Sequence, residues 1–424
     1  MARVYRHIKQ LWIPLCISGL FLLTRAYIWF NPPVDFTEII YSYMPYAHLW
    51  ASGVKPYLEQ WYEYPPATIP LFYLPHLIDR QTYGSFCHID YRQAYRGLLL
   101  LVDTALFALL WRSLVRFGTK PQLRLTALVY YCLITTKANH FLYDTMDWTF
   151  AGALALSVSP AFWVTVRSRT LARNLMADMQ TWLGYWLAVG LKLLNGPLGL
   201  PLALLQRRRW RTGWLALAVA GGLVWGLPLL IYRSSLSVML VFHQMRGLQV
   251  DSLTAVIVRI INGFTQTESV IEIYKNYEMT GPVTTQALGI LSFVFPLALV
   301  VFTGWMVWQA WRLAPREKDH SAFRLSMTLG FVLLLMIVSK VLSRPFVLWH
   351  IPLLAMLPLA NWRQQLRFLV PSVIAVVVTL SFIPDVPVGI LSTATLVGVV
   401  RSLAFVWLFV EWFRWHRRRF TRQV

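Results

Sequence analysis

Two stretches with residues suited to chemistry follow the first long apolar run of the chain: "VDFTEIIYSY" at 34–43 and "WYEYPP" at 61–66. Asp35 stands a few residues past that run. An aspartate is ionised at neutral pH, the form that a general base requires. Glu38 is three residues on, so on a helix the two carboxylates share a face; Asp35 would equally cap a helix starting at Phe36. In the second stretch, Glu63 lies between aromatic residues, and Pro65–Pro66 stops any helix. The aromatics fit a belt at a membrane boundary. They also fit the wall of a sugar site, because sugars stack on aromatic faces and hydrogen-bond to carboxylates.

A second set of residues is basic. Lys192 lies in "KLLNGPLGLP", His243 and Arg246 in "FHQMRGLQVDS", and Lys340, Arg344 and His350 in "SKVLSRPFVLWH"; Arg25 is near the end of the first apolar run. A charge at membrane depth is costly and faces a cavity or a partner. Each of these side chains alone could snorkel to the interface, but as a group they suit a phosphate. Asp103 and Arg401 also stand in apolar runs and are assigned a structural role. The chain has no phosphate-binding glycine loop, dinucleotide fingerprint or HExxH pair. Cys16 and Cys132 sit in apolar runs and Cys87 in a loop, so neither a disulfide nor a zinc site is expected. No cofactor or metal is assigned.

These residues are carried by a membrane protein. Of the 424 residues, 57% are hydrophobic and 13% charged, against roughly 25% charged in an ordinary soluble domain. The net charge is +21, but the basic residues fall in short blocks between apolar runs, so topology explains them and nucleic acid does not. Apolar runs occupy 11–30, 95–112, 122–141, 148–166, 213–232, 285–311, 324–342, 345–360, 368–383 and 388–411. The first is read as a retained span, since no small-residue cleavage site follows it. The stretch 180–205 has basic flanks on both sides and must go out and back, broken at Asn195, Gly196 and Pro197. The fold class is therefore an all-α polytopic membrane protein of about 12 transmembrane helices, a single membrane domain over 1–424 with a large outer loop at 31–94. "PPATIPLFYLPHLI" in that loop is too short and proline-rich for a span and reads as an interfacial or re-entrant piece.

The positive-inside rule orients the chain. With the N-terminus in the cytoplasm, "RSLVRFGTKPQLR", "RSRTLAR", "RRRWR", "RLAPREK", "NWRQQLR" and the tail "RWHRRRFTR" all fall inside. Segments 31–94 and 234–284, the Asp144/Asp147 turn, "SRPF" and "IPDVPV" fall outside. The cytoplasmic loops are too short to bind ATP or a nucleotide sugar, so an activated substrate would arrive through the membrane.

Four ordered segments resemble one family. "VDFTEIIYSYMPYAHLWASGVKPYLEQWYEYPP" is similar to the first outer loop of polyprenyl-phosphate-sugar-dependent glycosyltransferases of the GT-C fold, most of all glycosyltransferase family 87, the polyprenol-phosphate-mannose-dependent alpha-mannosyltransferases. The matching positions are Asp35, Tyr41, Gly53, Pro56, Tyr57, Glu63, Tyr64, Pro65 and Pro66. "GLKLLNGPLGLPLALLQRRRW", "FHQMRGLQVDSL" and "SKVLSRPFVLWHIPLL" follow in the family's order. Asn195–Gly196 and Arg344–Phe346 depart from its usual Tyr-before-Pro and Pro-Gln-Tyr segments.

The resemblance implies a GT-C-like fold with Asp35 as catalytic base and inversion at the sugar carbon. It implies a polyprenyl-phosphate sugar as donor and a lipid or glycan hydroxyl as acceptor. Arg344, Lys340, Lys192, Arg246, His243, His350 and Arg25 are the candidates for the donor phosphate, with Arg344 and Lys340 ranked first. Glu38, Tyr41, Tyr57, Glu63, Tyr64 and Asp147 are those for sugar and acceptor. It also implies a bacterial plasma-membrane enzyme with its site on the periplasmic or extracellular side. The competing reading is a transporter or flippase of a lipid-linked saccharide; the long outer loop and the lack of a two-half repeat count against it.

Overall fold

The computed structural model describes residues 2–33, 38–160, 171–207, 210–273, 276–314, 320–381 and 392–421. The chain is an all-α polytopic membrane protein with one small sheet. Among the described residues, seven helices are long and apolar enough to cross a membrane.

The chain begins with α1 (Ala2–Phe30), followed by a π-helical turn over Ile39–Tyr43 and α2 (Met44–Ala51). Next is α3 (Thr68–Thr82), the segment read as an interfacial piece: a 15-residue helix with Pro75 inside, packed against α4 (Tyr91–Arg116). Asp90 starts α4 with a reciprocal capping box to Gln93, which satisfies amides that a helix start otherwise leaves bare. Short helices follow: α5 (Pro121–Lys137), α6 (Asn139–Leu142) and α7 (Asp147–Val158).

The broken hairpin consists of α8 (Leu171–Leu191), a 3-10 turn over Leu193–Leu198 and α9 (Gly199–Leu205). The break falls at Lys192, which is extended (φ −149°, ψ 120°), rather than at Asn195–Pro197 as predicted. Pro197 can neither donate to the preceding turn nor fit against it, so the helix is already lost upstream. With its amide oriented to donate, Asn195 bonds the Lys192 carbonyl at the break (2.7 Å) and the Ala188 carbonyl (3.2 Å), which also accepts from the Lys192 amide at 2.8 Å.

Helices α10 (Trp210–Gly221), α11 (Leu227–Tyr232) and α12 (Ser237–Met245) form one long run. Strand β1 (Leu248–Gln249), α13 (Leu253–Thr265), β2 (Ser269–Ile273) and β3 (Asn276–Thr280) then build a three-stranded sheet, order β1-β3-β2, that sequence periodicity did not foreshadow. Among the described residues, α14 (Pro282–Leu313) is the least buried of the seven long apolar helices, and α15 (Ser321–Val338) is the most enclosed. The run predicted as a span at 345–360 is a 3-10 turn (Arg344–Leu348) and α16 (His350–Ala355). It is apolar because it lies in the protein core: Val347, Trp349, Ile351 and Leu353 are all at most 1% exposed. Helices α17 (Trp362–Ser381) and α18 (Thr393–His416) pack along each other and close the bundle.

Two cores result. The main one runs through the bundle, and a satellite core of Leu248, Val250, Ala255, Val258, Met279 and Leu291 sits under the sheet.

Candidate functional site

One cavity of about 1070 Å³ gathers residues from all four motif segments. Asp35 and the "IPDVPV" segment lie outside the described residues, as does most of "RSRTLAR". Glu38, three residues after Asp35, lines the cavity together with Tyr41, Glu63 and Tyr64. The π turn at 39–43 widens the backbone here, a distortion that recurs at functional sites. It buries Tyr43 (2% exposed) while Tyr41, at 46%, faces the opening.

"WYEYPP" is divided between scaffold and lining. Tyr62 is fully buried and bonds Thr68 Oγ1 at 2.5 Å, whereas Trp61, Glu63, Tyr64 and Pro65 border the cavity. Tyr46 donates to Glu63 Oε2 at 2.6 Å. Burial, and then the Glu63 charge, push the Tyr46 phenol far above its ordinary range, so it remains a donor at any physiological pH. Tyr57, expected as a sugar contact, does not line the cavity: it is 4% exposed and its hydroxyl donates to the Tyr64 carbonyl at 2.5 Å. It holds Tyr64 from behind, at a positive φ of 66° that is uncommon for a bulky residue.

Four of the basic candidates line the cavity: Lys192, His243, Arg246 and Lys340. Lys192 Nζ lies 2.9 Å from Asp147 Oδ1 and 4.0 Å from the centre of the Phe346 ring. Arg246 Nε pairs with Glu278 Oε1 at 3.0 Å. The Lys340 ammonium bonds the carbonyls of Gln244 and Arg246 at the end of α12, where a cation meets the negative end of the helix. Burial, offset in part by Glu278 and reinforced by Arg246, holds Lys340 below the usual lysine value.

The other three do not line it. Arg344 turns to Asp251 (3.6 Å), which is also held by Arg401 at 2.8 Å. Arg25 forms a two-pronged pair with Asp103 (2.7 and 3.1 Å), to which Tyr131 and Tyr143 also donate. A buried guanidinium needs its counter-charge close by, and Asp103 on α4 supplies it. His350 is fully buried and bonds Ser372 Oγ at 2.7 Å within the core. Of the two cations ranked first, Lys340 lines the cavity, as Lys192 and Arg246 do, whereas Arg344 is not among its lining residues.

Residues that the motifs did not single out complete the site. Trp349 Nε1 donates to Asp147 Oδ1 at 2.7 Å, and Glu278 backs Arg246. Trp349 was within a quoted motif, but nothing in its spacing marked a partner. Glu278 lies in "NYEMT", where no pattern signalled it. Leu288, Leu291, Phe295 and Leu299 of α14 give the cavity an apolar flank. The cavity thus combines carboxylates and phenols with cations, Lys192 and Asp147 paired within its wall, and has an apolar flank on α14.

The chain matches no protein-family model and no curated protein. It is similar to two crystal structures of ArnT from Cupriavidus metallidurans, one bound to undecaprenyl phosphate (15% identity, TM-score 0.47) and one in the apo state (14%, TM-score 0.48), and in both cases the match covers 93% of this chain and 76% of that chain.

Proposed function

We propose that this protein is a membrane glycosyltransferase of GT-C type, moving a sugar from a polyprenyl-phosphate donor to a hydroxyl of a lipid or glycan acceptor. The observation that carries this reading is the composition of the cavity. Lys192 and Arg246 offer charge to a phosphate, α14 offers an apolar flank to a lipid chain, and Glu38, Glu63, Tyr41 and Tyr64 offer polar and aromatic groups to a sugar. The sequence resemblance points to the same reaction, and to mannose or another hexose or pentose as the sugar.

In the proposed mechanism, the acceptor oxygen attacks the anomeric carbon as its proton passes to Asp35. The bond from that carbon to the phosphate oxygen breaks, and the oxygen leaves with the electron pair. One displacement inverts the centre. Polyprenyl phosphate is a competent leaving group, so the enzyme needs fixed positive charge there more than a general acid. Lys192 and Arg246 supply it.

The test is product formation by the purified protein with a panel of polyprenyl-phosphate sugars. Sugar transfer with inversion supports the reading. Movement of a lipid-linked saccharide across proteoliposomes without transfer would replace it with the transporter reading. The site's placement on the outer face is checked in a background lacking the native cysteines. Ser52→Cys is expected to react with an impermeant thiol reagent from outside intact cells, and Thr421→Cys is not.

A further inference from the structure

Arg246 is the cavity cation with a carboxylate partner outside the cavity. Its Nε is taken by Glu278 Oε1 at 3.0 Å, while the second oxygen of Glu278 accepts from the Gly247 amide at 3.0 Å. Glu278 is 3% exposed and lines no part of the cavity. Asp147, the partner of Lys192, does line it. An arriving phosphate therefore competes directly with Asp147 for Lys192, whereas Glu278 does not itself border the space in which it would meet Arg246.

Strand pairing fixes this arrangement. Gln249 of β1 lies opposite Glu278 of β3, and Leu248 lies opposite Met279. Side chains alternate along a strand, so Met279 enters the satellite core while Glu278 turns to the Arg246 turn. A side chain at Gly247 would collide with the Glu278 carboxylate. Lys340 secures the same turn through the Gln244 and Arg246 carbonyls, and the Gln249 amide donates back to the Lys340 carbonyl at 3.0 Å. Among the described residues, the terminal nitrogens of Arg246 make no hydrogen bond, so they remain available to the cavity.

We infer that Glu278 is a positioning residue for the donor phosphate: it holds Arg246 by Nε and aims the two terminal nitrogens at the anion. This rests on the glycosyltransferase reading above and extends it to the sheet, which becomes the support of the phosphate site. A guanidinium held at one edge presents its other edge pre-oriented, so less freedom is lost on binding.

The experiment measures binding of a sugar-free polyprenyl phosphate to the purified protein by intrinsic tryptophan fluorescence, alongside its melting temperature. The parent is expected to bind. Glu278→Gln and Arg246→Ala are each expected to weaken binding about tenfold, the scale of one charge-assisted hydrogen bond, with a lowered melting temperature, since each breaks a buried pair, but with a cooperative transition that shows the fold is kept. The double variant is expected to bind no worse than Arg246→Ala alone, because Glu278 acts only through Arg246. Parent-like binding by Glu278→Gln, or losses that add in the double variant, overturns the inference. Should Glu278→Gln not fold, Glu278→Asp, which draws the guanidinium back by one methylene, must weaken binding in its place, and parent-like binding by it overturns the inference equally. If the parent itself does not bind the lipid phosphate, the donor reading falls, and the role of Glu278 falls with it.

Discussion

Lys192 Nζ and Asp147 Oδ1 lie 2.9 Å apart, and Trp349 Nε1 donates to the same oxygen at 2.7 Å. The pair joins the break after α8 to the start of α7. It places an ammonium between a carboxylate and the faces of Phe346 and Trp349, whose centres are 4.0 and 4.9 Å away. Such a cation is partly desolvated and held in place, poised for an anion.

Lys192→Met is accordingly expected to weaken binding of a polyprenyl-phosphate donor by about tenfold or more. Arg344→Met is expected to change it by less than about threefold, because Arg344 serves Asp251 outside the cavity. Titration of donor binding in the two variants checks the contrast; a larger loss in Arg344→Met would return the phosphate to the "SRPF" segment.

Asp35→Asn keeps the size of the side chain and removes its basicity. Transfer is expected to fall by about a hundredfold or more, the lower range for losing a positioned base, with the melting temperature held. Turnover near that of the parent would sink the assignment of Asp35 as base.

Lys340 gives a pH signature. Its folded-state value lies below the ordinary 10.5, with burial as the largest cause. The ammonium is present at lower pH and is lost as pH rises through that lowered value. The Gln244 and Arg246 carbonyls then lose their donor, and donor binding is expected to weaken on the alkaline side, earlier than for an ordinary lysine. Lys340→Arg, which keeps its charge across this range, is expected to remove that limb from the pH profile.

Glu268 gives a signature in stability. It accepts from the amides of Val283 (2.9 Å) and Thr284 (3.0 Å) and from the Thr284 hydroxyl (2.5 Å), taking the place of a cap that Gly281 cannot supply to α14. Burial pushes the carboxyl up, but these bonds outweigh it and hold it below its ordinary 4.5. Its stabilisation is therefore present at neutral pH and lost as pH falls through the depressed value. Glu268→Gln is expected to cost about 1–2 kcal/mol at pH 7, the gap to the parent narrowing in acid. Thermal unfolding at both pH values measures it.

The sequence by itself determined the membrane class and most of the helices, because apolar length and helix-breaking prolines are local properties. It also determined the order of the motif segments, and its list of candidates contained Glu38, Tyr41, Glu63, Tyr64, Asp147, Lys192, His243, Arg246 and Lys340, which the fold brings to one cavity. It left open which cations face that cavity. Lys192 and Arg25 read alike in an apolar run, and only the fold decides that Asp103 neutralises Arg25 in the core while Lys192 meets Asp147 in the cavity wall. Arg344 and Arg401 converge on Asp251 in the same way. Pairing across such sequence distances has no period to read. The same holds for the sheet that presents Glu278 to Arg246, since its strands are short and their partners are set by register rather than by composition.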